Sequence, residues 1–457
     1  MWRKPCTAVV WAVLILSVVS IFAGGCQQSD SPPPYRPTII LITLDTTRAD
    51  HLGCYGYSRP TSPNIDRLAT ESLLYERAIA PGTWTLPSHA SLFTGKFTAS
   101  HGARYDPIGS LQLTRAIEGR TSLAFYRART IAADEWTLAA VLRSHGYVTG
   151  AVVAGPWLKR VFGLSRGFDH FDDRNITTAN GRLADDVTDS ALRWLATSAG
   201  GPRFLFLNYF DPHMPYDAPA DFEADFFSQI DLVVGDELSA QERRVAAYDA
   251  EVRYMDHHVG RLFDGLRQLG LYQDAWIIVT ADHGELLGEH GETDHGDTPY
   301  QEVVHIPLIV KEPGPNGARG RSAAWIQLID VMPMILDRLN IAWEGQIQGS
   351  APPDIDHPIL VESRTLEPFE TKGHWLAWID RNMKFIWNSK GAHMLFDLDA
   401  DPRELSNLHD SESQRVTSIQ TAMRSYLASL PAPGAEGVTG VVDEATQDAL
   451  RSLGYTQ

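Results

Sequence analysis

Cysteine is almost missing from this sequence: Cys6, Cys26 and Cys54 are the only three in 457 residues. No disulfide framework is available, so stability has to come from burial, and a hydrophobic content of 44% supports one large core plus a satellite. Positive charge is also scarce, with 39 Lys and Arg against 57 Asp and Glu and a formal net charge of −18. A surface of that sign excludes nucleic acid as a partner and gives no general attraction to anionic lipid. An anionic substrate therefore needs a locally positive site, which a metal would supply. The sequence has no internal repeat and no extended low-complexity run. Nor does it contain an apolar run of the roughly 20 residues that a membrane-spanning helix needs.

The longest uncharged apolar stretch, Ala8 to Phe22, follows Arg3 and Lys4 and ends in Ala23-Gly24-Gly25-Cys26. A positive head, a short apolar centre and a small-residue end make residues 1–25 an expected signal peptide. The final four residues resemble a bacterial lipoprotein cleavage box. That implies a mature chain lipidated at Cys26, exported and anchored to the cell envelope, facing the periplasm or the outside. Residues 26–37, rich in Ser, Pro and polar side chains, read as a flexible tether. Cys54 is expected to be a packed small residue.

Thr38 to Leu44 is a nearly continuous β-branched apolar run, as expected of a strand buried on both faces of a parallel sheet. Similar runs occur at Val148–Val153, Phe204–Phe210, Trp276–Thr280 and Ile306–Val310, with helical periodicity at Leu138–Leu142, Asp185–Leu195 and Ala246–Leu269. This alternation predicts an α/β fold over residues 38–345: a large, mainly parallel sheet flanked by helices. From about Gln346 the segments shorten, at Trp375–Ile379 and Lys384–Trp387, before a helical run from Ser411 to Leu430. Residues 346–457 are thus expected to form a small C-terminal antiparallel sheet plus helix.

Ligands of such folds bind beyond the carboxyl ends of the strands. Three of the runs lead directly into metal-competent residues: Asp45; Asp211 and His213; Asp282 and His283. Two carboxylates and an imidazole at one sheet edge suit a divalent cation, and a hydroxyl beside that cation becomes a nucleophile at neutral pH. Thr85 supplies the hydroxyl. Pro87 fits the first position of a helix, which would put Thr85 just ahead of free N–H groups that favour a bound phosphate or sulfate.

The run Thr85-Leu86-Pro87-Ser88-His89-Ala90-Ser91-Leu92-Phe93-Thr94-Gly95 has the shape of the sulfatase signature [CS]-x-P-S-R-x-x-x-x-T-G, whose first residue is oxidised to formylglycine. Further matches are Leu44 to Asp50, Phe210 to Tyr216, Ala281 to Gly291 and Leu395 to Glu404. From Thr38 to Tyr455 the sequence resembles the sulfatase branch of the alkaline phosphatase superfamily. Three positions depart from the pattern. Thr85 cannot become an aldehyde, His89 replaces the signature Arg, and Thr46 stands where a second Asp is usual.

The resemblance implies a divalent metal at Asp45, Thr85, Asp282 and His283. With one carboxylate fewer, Zn2+ or Mn2+ is favoured over Ca2+ or Mg2+. It further implies catalytic roles for Thr85, His213 and His295, the two histidines also forming a candidate second-metal pair. His89 and Arg48 are expected to bind substrate, with a structural ion pair as the alternative for Arg48. The expected function is metal-dependent hydrolysis of a phosphate mono- or diester, on a small-molecule, lipid or glycan substrate. Alternatives are a sulfuric ester hydrolase without formylglycine, a phosphoryl-group transferase, and a non-catalytic glycan-binding protein. The segment from Tyr105 to Ala133 has no clear counterpart in the family and is expected to cover the pocket.

Overall fold

Ile39–Leu44 forms a strand, β1, in which all six residues are buried. The other main-sheet strands, in chain order, are β2 (Leu73–Ile79), β3 (Val148–Val152), β4 (His170–Asp172), β5 (Arg203–Tyr209), β6 (Trp276–Thr280), β7 (His305–Lys311) and β8 (Gly320–Gln327). Their spatial order is β8-β2-β7-β6-β1-β5-β3-β4. In this computed structural model the described residues are 36–452, apart from 107, 113–126, 177–180, 199, 231–237, 344, 365–371 and 438–439. Residues 1–35, and with them the expected signal peptide and Cys26, lie outside the described residues.

The sheet is mainly parallel, with one reversal. β7 runs antiparallel to both β6 and β2, whereas every other neighbouring pair is parallel. The run Ile306–Val310 was expected to join the parallel set. Only short elements, the one-turn helix Gln301–Val304 the last of them, separate β6 from β7, so no crossover returns the chain to the starting edge of the sheet. Strand β2 escapes the apolar pattern because Glu76 and Arg77 interrupt it. Those charges are matched laterally, Glu76 by Arg321 at 2.8 Å and Arg77 by Asp399 at 3.1 Å.

Alternation along β1 divides the core into two layers. Ile39 and Leu41 belong to one cluster, Ile40, Ile42 and Leu44 to the other. The helices are α1 (Pro63–Ala69), α2 (Thr85–Thr94), α3 (Leu138–Ser144), α4 (Ala184–Thr197), α5 (Ala240–Gln268), α6 (Val331–Arg338) and α7 (Ser413–Ser429). The first layer takes in α2, α3 and α6, and the second α1, α4 and α5. Helix α5 begins six residues before the expected Ala246 because Ser239 and Glu242 form a capping box, each side chain accepting the other's backbone N–H.

The C-terminal strands β9 (Ile359–Ser363), β10 (Trp375–Asp380), β11 (Met383–Asn388) and β12 (Met394–Asp397) pair antiparallel in sequence order. One face, with Val361 and Ala377, packs on Ile79, Val303 and Val304 of the main body, and the other, with Phe385 and Leu395, packs on α7. Pro37–Gln457 forms one compact unit. An ion pair between Lys384 and Glu404, 2.8 Å long and wholly buried, ties β11 to the turn after β12. Glu404→Ala should therefore destabilise the protein by about 3–5 kcal/mol in chemical unfolding, because it strands a buried ammonium. The double variant Lys384→Met with Glu404→Leu should recover most of the loss.

Within the segment expected to cover the pocket, Arg104–Tyr105, Leu111–Gln112 and Arg127–Arg129 form a small sheet completed by Gly440–Val441. Phe125 and Tyr126 lie outside the described residues. No helix among the described residues is long and apolar enough to cross a membrane.

Candidate active site

Asp45 follows β1 directly, and its backbone N–H continues the ladder by donating to the Tyr209 carbonyl at 2.8 Å. The next residue, Thr46, turns the chain through a left-handed conformation at φ 52°. Tyr248 of α5 holds this strained turn, donating to the Thr46 carbonyl at 2.8 Å and accepting from the Arg48 N–H at 2.9 Å. Asp282 stands at the matching edge, after β6, with Oδ1 accepting backbone N–H bonds from His283 (3.0 Å) and Thr46 (3.3 Å). The parallel pairing of β1 with β6 is what aligns the two carboxylates.

Asp45, Asp282 and His283 each present a ligand atom within 4.8 Å of the others, and all three are fully buried. Asp45 Oδ1 and Asp282 Oδ2 make no hydrogen bond. Burial raises both carboxyls, and Asp45, where the charge of Asp282 adds to the effect, stands well above the usual carboxylate range. Two orphaned buried carboxylate oxygens and an imidazole are a donor set that fits a divalent cation. Asn208, a polar interruption inside β5, donates to Asp45 Oδ2 at 3.3 Å; that break in an apolar strand was the available sequence signal for its role.

Thr85 is the first residue of α2, with Trp84 as its N-cap. Pro87 therefore occupies the third helical position rather than the first, where its missing N–H still costs nothing. Thr85 Oγ1 lies 3.4 Å from His283 Nε2. Because His283 Nδ1 donates to the Gly284 carbonyl at 3.0 Å, the Nε2 lone pair is the one that faces Thr85.

His89, expected to bind substrate, is fully buried beneath this turn instead. Its Nδ1 donates to the Thr85 carbonyl at 2.9 Å and lies 3.4 Å from Asp282 Oδ2, while Nε2 accepts from the Thr43 hydroxyl at 3.0 Å. Burial, outweighing Asp282, lowers its basicity and keeps it neutral. One turn further into α2 than Thr85, it locks the Thr85 backbone to the sheet. Arg48 is likewise engaged: its guanidinium binds Asp50, Glu289 (2.7 Å each) and the Glu285 carbonyl at 3.1 Å. These contacts are the structural ion pair that was the alternative for Arg48.

His213 and His295 do converge, their rings 4.9 Å apart, and His295 lies 4.4 Å from the His283 ring. Neither of the two groups of three potential metal ligands found among the described residues contains both of them. The second such group among the described residues is Glu285, Asp294 and His295. His295 Nδ1 lies 3.2 Å from both Glu285 Oε1 and Asp294 Oδ1. Burial opposes its charge, but the two carboxylates prevail and push its pKa up to about 9. His213 is the opposite case: burial and the neighbouring His295 lower it well below the usual histidine range, and its Nδ1 donates to the Met214 carbonyl at 2.7 Å.

Asp211, grouped with His213 in the sequence, turns away to accept the N–H of Ala184 at 2.9 Å, at the start of α4. Its negative charge acts on the like-charged Glu251 of α5, whose Oε1 accepts the Asp217 N–H at 2.7 Å. Burial raises Asp211 to about 7; burial and then Asp211 raise Glu251 to about 9. The folded protein thus holds protons that the unfolded chain has released above pH ~4, so stability falls as pH rises from there through about 7 and about 9. Glu251→Gln should flatten the upper part of this dependence, read as a smaller loss of melting temperature between about pH 7 and pH 9.

With this geometry in view, comparison with known proteins is decisive. The Sulfatase family profile matches residues 37–341. The chain belongs to the sulfatase family. An arylsulfatase of Clostridium perfringens is 24% identical over 466 residues, covering 83% of this chain and 92% of that protein. The phosphonate monoester hydrolase of Agrobacterium radiobacter superposes with a TM-score of 0.63 at 19% identity, covering 86% of this chain and 95% of the other. A protein solved with its substrate D-glucosamine-2-N,6-O-disulfate gives 0.68 at 18% identity, with 86% and 98% covered. The mixed sheet, its helical layers and the C-terminal antiparallel sheet are therefore the alkaline phosphatase fold. As a sulfatase-family member the protein is a hydrolase, in a group that acts on sulfuric or phosphoric esters; enzymes of that family are metal-dependent, and Asp45, Asp282 and His283 could hold the ion.

Proposed function

We propose that this sulfatase-family enzyme uses Thr85 as a nucleophile, at the position the family reserves for formylglycine, and acts preferentially on phosphate mono- or diesters. The observation that supports this is the placement of the Thr85 hydroxyl at the N-terminus of α2, 3.4 Å from His283 and beside two orphaned carboxylates. Asp45, Asp282, His283 and Thr85 would hold the divalent cation, and their mixture of imidazole and carboxylate favours Zn2+ or Mn2+. Such an ion lowers the pKa of a neighbouring hydroxyl and offsets the charge of the ester.

The chain's own residues supply the rest. Free N–H groups at the start of α2 receive the ester oxygens. Thr85 Oγ1, its proton given up to bulk water, bonds to phosphorus as the bond to the leaving oxygen breaks. His295, protonated at neutral pH by virtue of Glu285 and Asp294, gives that oxygen its proton. Water then cleaves the phosphothreonine and restores the hydroxyl. Thr85 and the three ligand residues are fully buried, so entry of an ester requires side chains around the recess to move.

The second reading is sulfate ester hydrolysis without formylglycine, favoured by the arylsulfatase relative. Purified residues 27–457, with bound metal determined, should be assayed on aryl phosphate, phosphodiester and aryl sulfate. Phosphate turnover is expected to exceed sulfate turnover. The reverse order would select the second reading, and no turnover of any ester would select a binding protein. Export and lipid anchoring through Cys26 belong to the same proposal. Cys26→Ser should move the protein from the membrane to the soluble fraction, and unchanged fractionation would refute the anchor.

A further inference from the structure

A half-buried arginine that makes no close ion pair among the described residues stands near the candidate active site. Arg104 lies in the strand Arg104–Tyr105. Its Nε is buried without a hydrogen-bond partner, and Nη1 donates only to the Thr98 carbonyl, at 3.3 Å. Its guanidinium forms no ion pair among the described residues. The acids nearest to it are committed elsewhere: Glu362 Oε1 accepts the Ala99 N–H at 2.6 Å, and Asp106 lies 3.3 Å from Arg129. A half-buried guanidinium whose Nε donates to nothing has donor capacity to spare, which suits the binding of an anion.

The location is specific. Tyr105, next to Arg104, stacks on Trp84 at 4.1 Å, and Trp84 immediately precedes Thr85. From the other side comes Arg364, exposed at the end of β9. The residue before it, Ser363, donates to the Gly296 carbonyl at 2.6 Å, and the Gly296 N–H donates to the Thr83 carbonyl at 2.9 Å. Glu362 also bridges Gly82. Arg364 is thereby stitched both to the loop carrying His295 and to the turn that precedes the nucleophile. Burial and then the charge of Arg364 hold Arg104 below the usual arginine range, although Glu362 and Asp106 act in the opposite direction.

We propose that Arg104 and Arg364 form an anion subsite beside Thr85, which takes a second sulfate, phosphate or carboxylate group on the substrate whose ester reacts there. The natural substrate is then at least dianionic. This inference rests on the hydrolase reading above. It also answers how so acidic a protein selects a multiply charged substrate: the selectivity is local, built from two arginines in a surface of net charge −18.

The test uses metal-loaded residues 27–457 and three probes: a 4-nitrophenyl ester that the enzyme turns over, its ring-carboxylated counterpart and its ring-sulfonated counterpart. Arg364→Ala changes an exposed side chain and should fold normally; Arg104→Gln keeps a donor for the Thr98 carbonyl. In each variant the kcat/KM preference for the dianionic probes should fall about tenfold, through KM, consistent with loss of one charge-assisted contact. The parent ester should change less than about twofold. The carboxylated and sulfonated arms show which anion the subsite prefers. An unchanged preference in both variants, or equal losses on all three probes, overturns the subsite.

Calorimetric binding of the dianionic probes to Thr85→Ala protein gives an answer independent of turnover. Arg364→Ala should weaken that binding about tenfold, and equal affinity would overturn the inference. Failure of the hydrolase reading would appear separately, as wild-type protein that binds the probes but turns none over.

Discussion

Thr85→Ala should lower kcat by at least ~10³-fold, the scale on which a covalent nucleophile is lost, while the protein stays folded. The substitution removes a hydroxyl and a methyl from a fully buried position at the first turn of α2. Its cost in stability should stay near 1–2 kcal/mol, because the turn is held by backbone and by His89 rather than by the Thr85 side chain. Thr85→Ser retains the hydroxyl and should keep much of the activity. Rapid quench of the wild type with a phosphate ester, followed by mass spectrometry, should find phosphate on Thr85. An alanine variant within about tenfold of wild type would rule the hydroxyl out as nucleophile.

Removal of the metal should destabilise the wild type and leave an Asp282 variant little changed, which separates a bound ion from a merely acidic cluster. In the wild type, a chelator should abolish turnover and lower the melting temperature, because Asp45 and Asp282 are left as neighbouring buried carboxylates with unpaired oxygens. Returning the ion should restore both. Asp282→Asn should weaken metal binding by more than ~100-fold, since even residues that only orient metal ligands account for 10–100-fold. Yet the metal-free Asp282→Asn protein should melt above the metal-free wild type, because one of the two repelling charges is gone. Identical melting temperatures with and without chelator, in both proteins, would show that these carboxylates hold no ion.

Much of the fold was legible because its logic is one-dimensional. A buried parallel strand must be apolar on both faces, so β1, β5 and β6 announced themselves, and the polar residue that ends each apolar run marked the edge where Asp45 and Asp282 meet. Orientation was less legible. Strand β7 has the composition of a parallel strand, and only the absence of a crossover helix makes it antiparallel. Side-chain commitments were the least legible of all. Asp211 and His213 are two residues apart, yet one caps α4 and the other faces His295. Arg48 and His89 are the right types for substrate binding and are both consumed by neighbours that no linear pattern reveals. Arg104 is the converse case, an unremarked arginine made conspicuous only by what fails to surround it.

The position of β1 in the sheet has a consequence for how the protein comes into being. It is the earliest described strand and lies near the centre, paired with β5 from Phe204 onward and with β6 from Trp276 onward. A wholly apolar strand therefore leaves the ribosome long before either partner exists, and contacts at such sequence separation form slowly. Asp45 and Asp282 cannot meet until β6 has docked, so no chain synthesised only as far as β5 can capture the ion. The nascent protein should depend on a chaperone to shield that strand, and metal uptake should come as the last step of maturation.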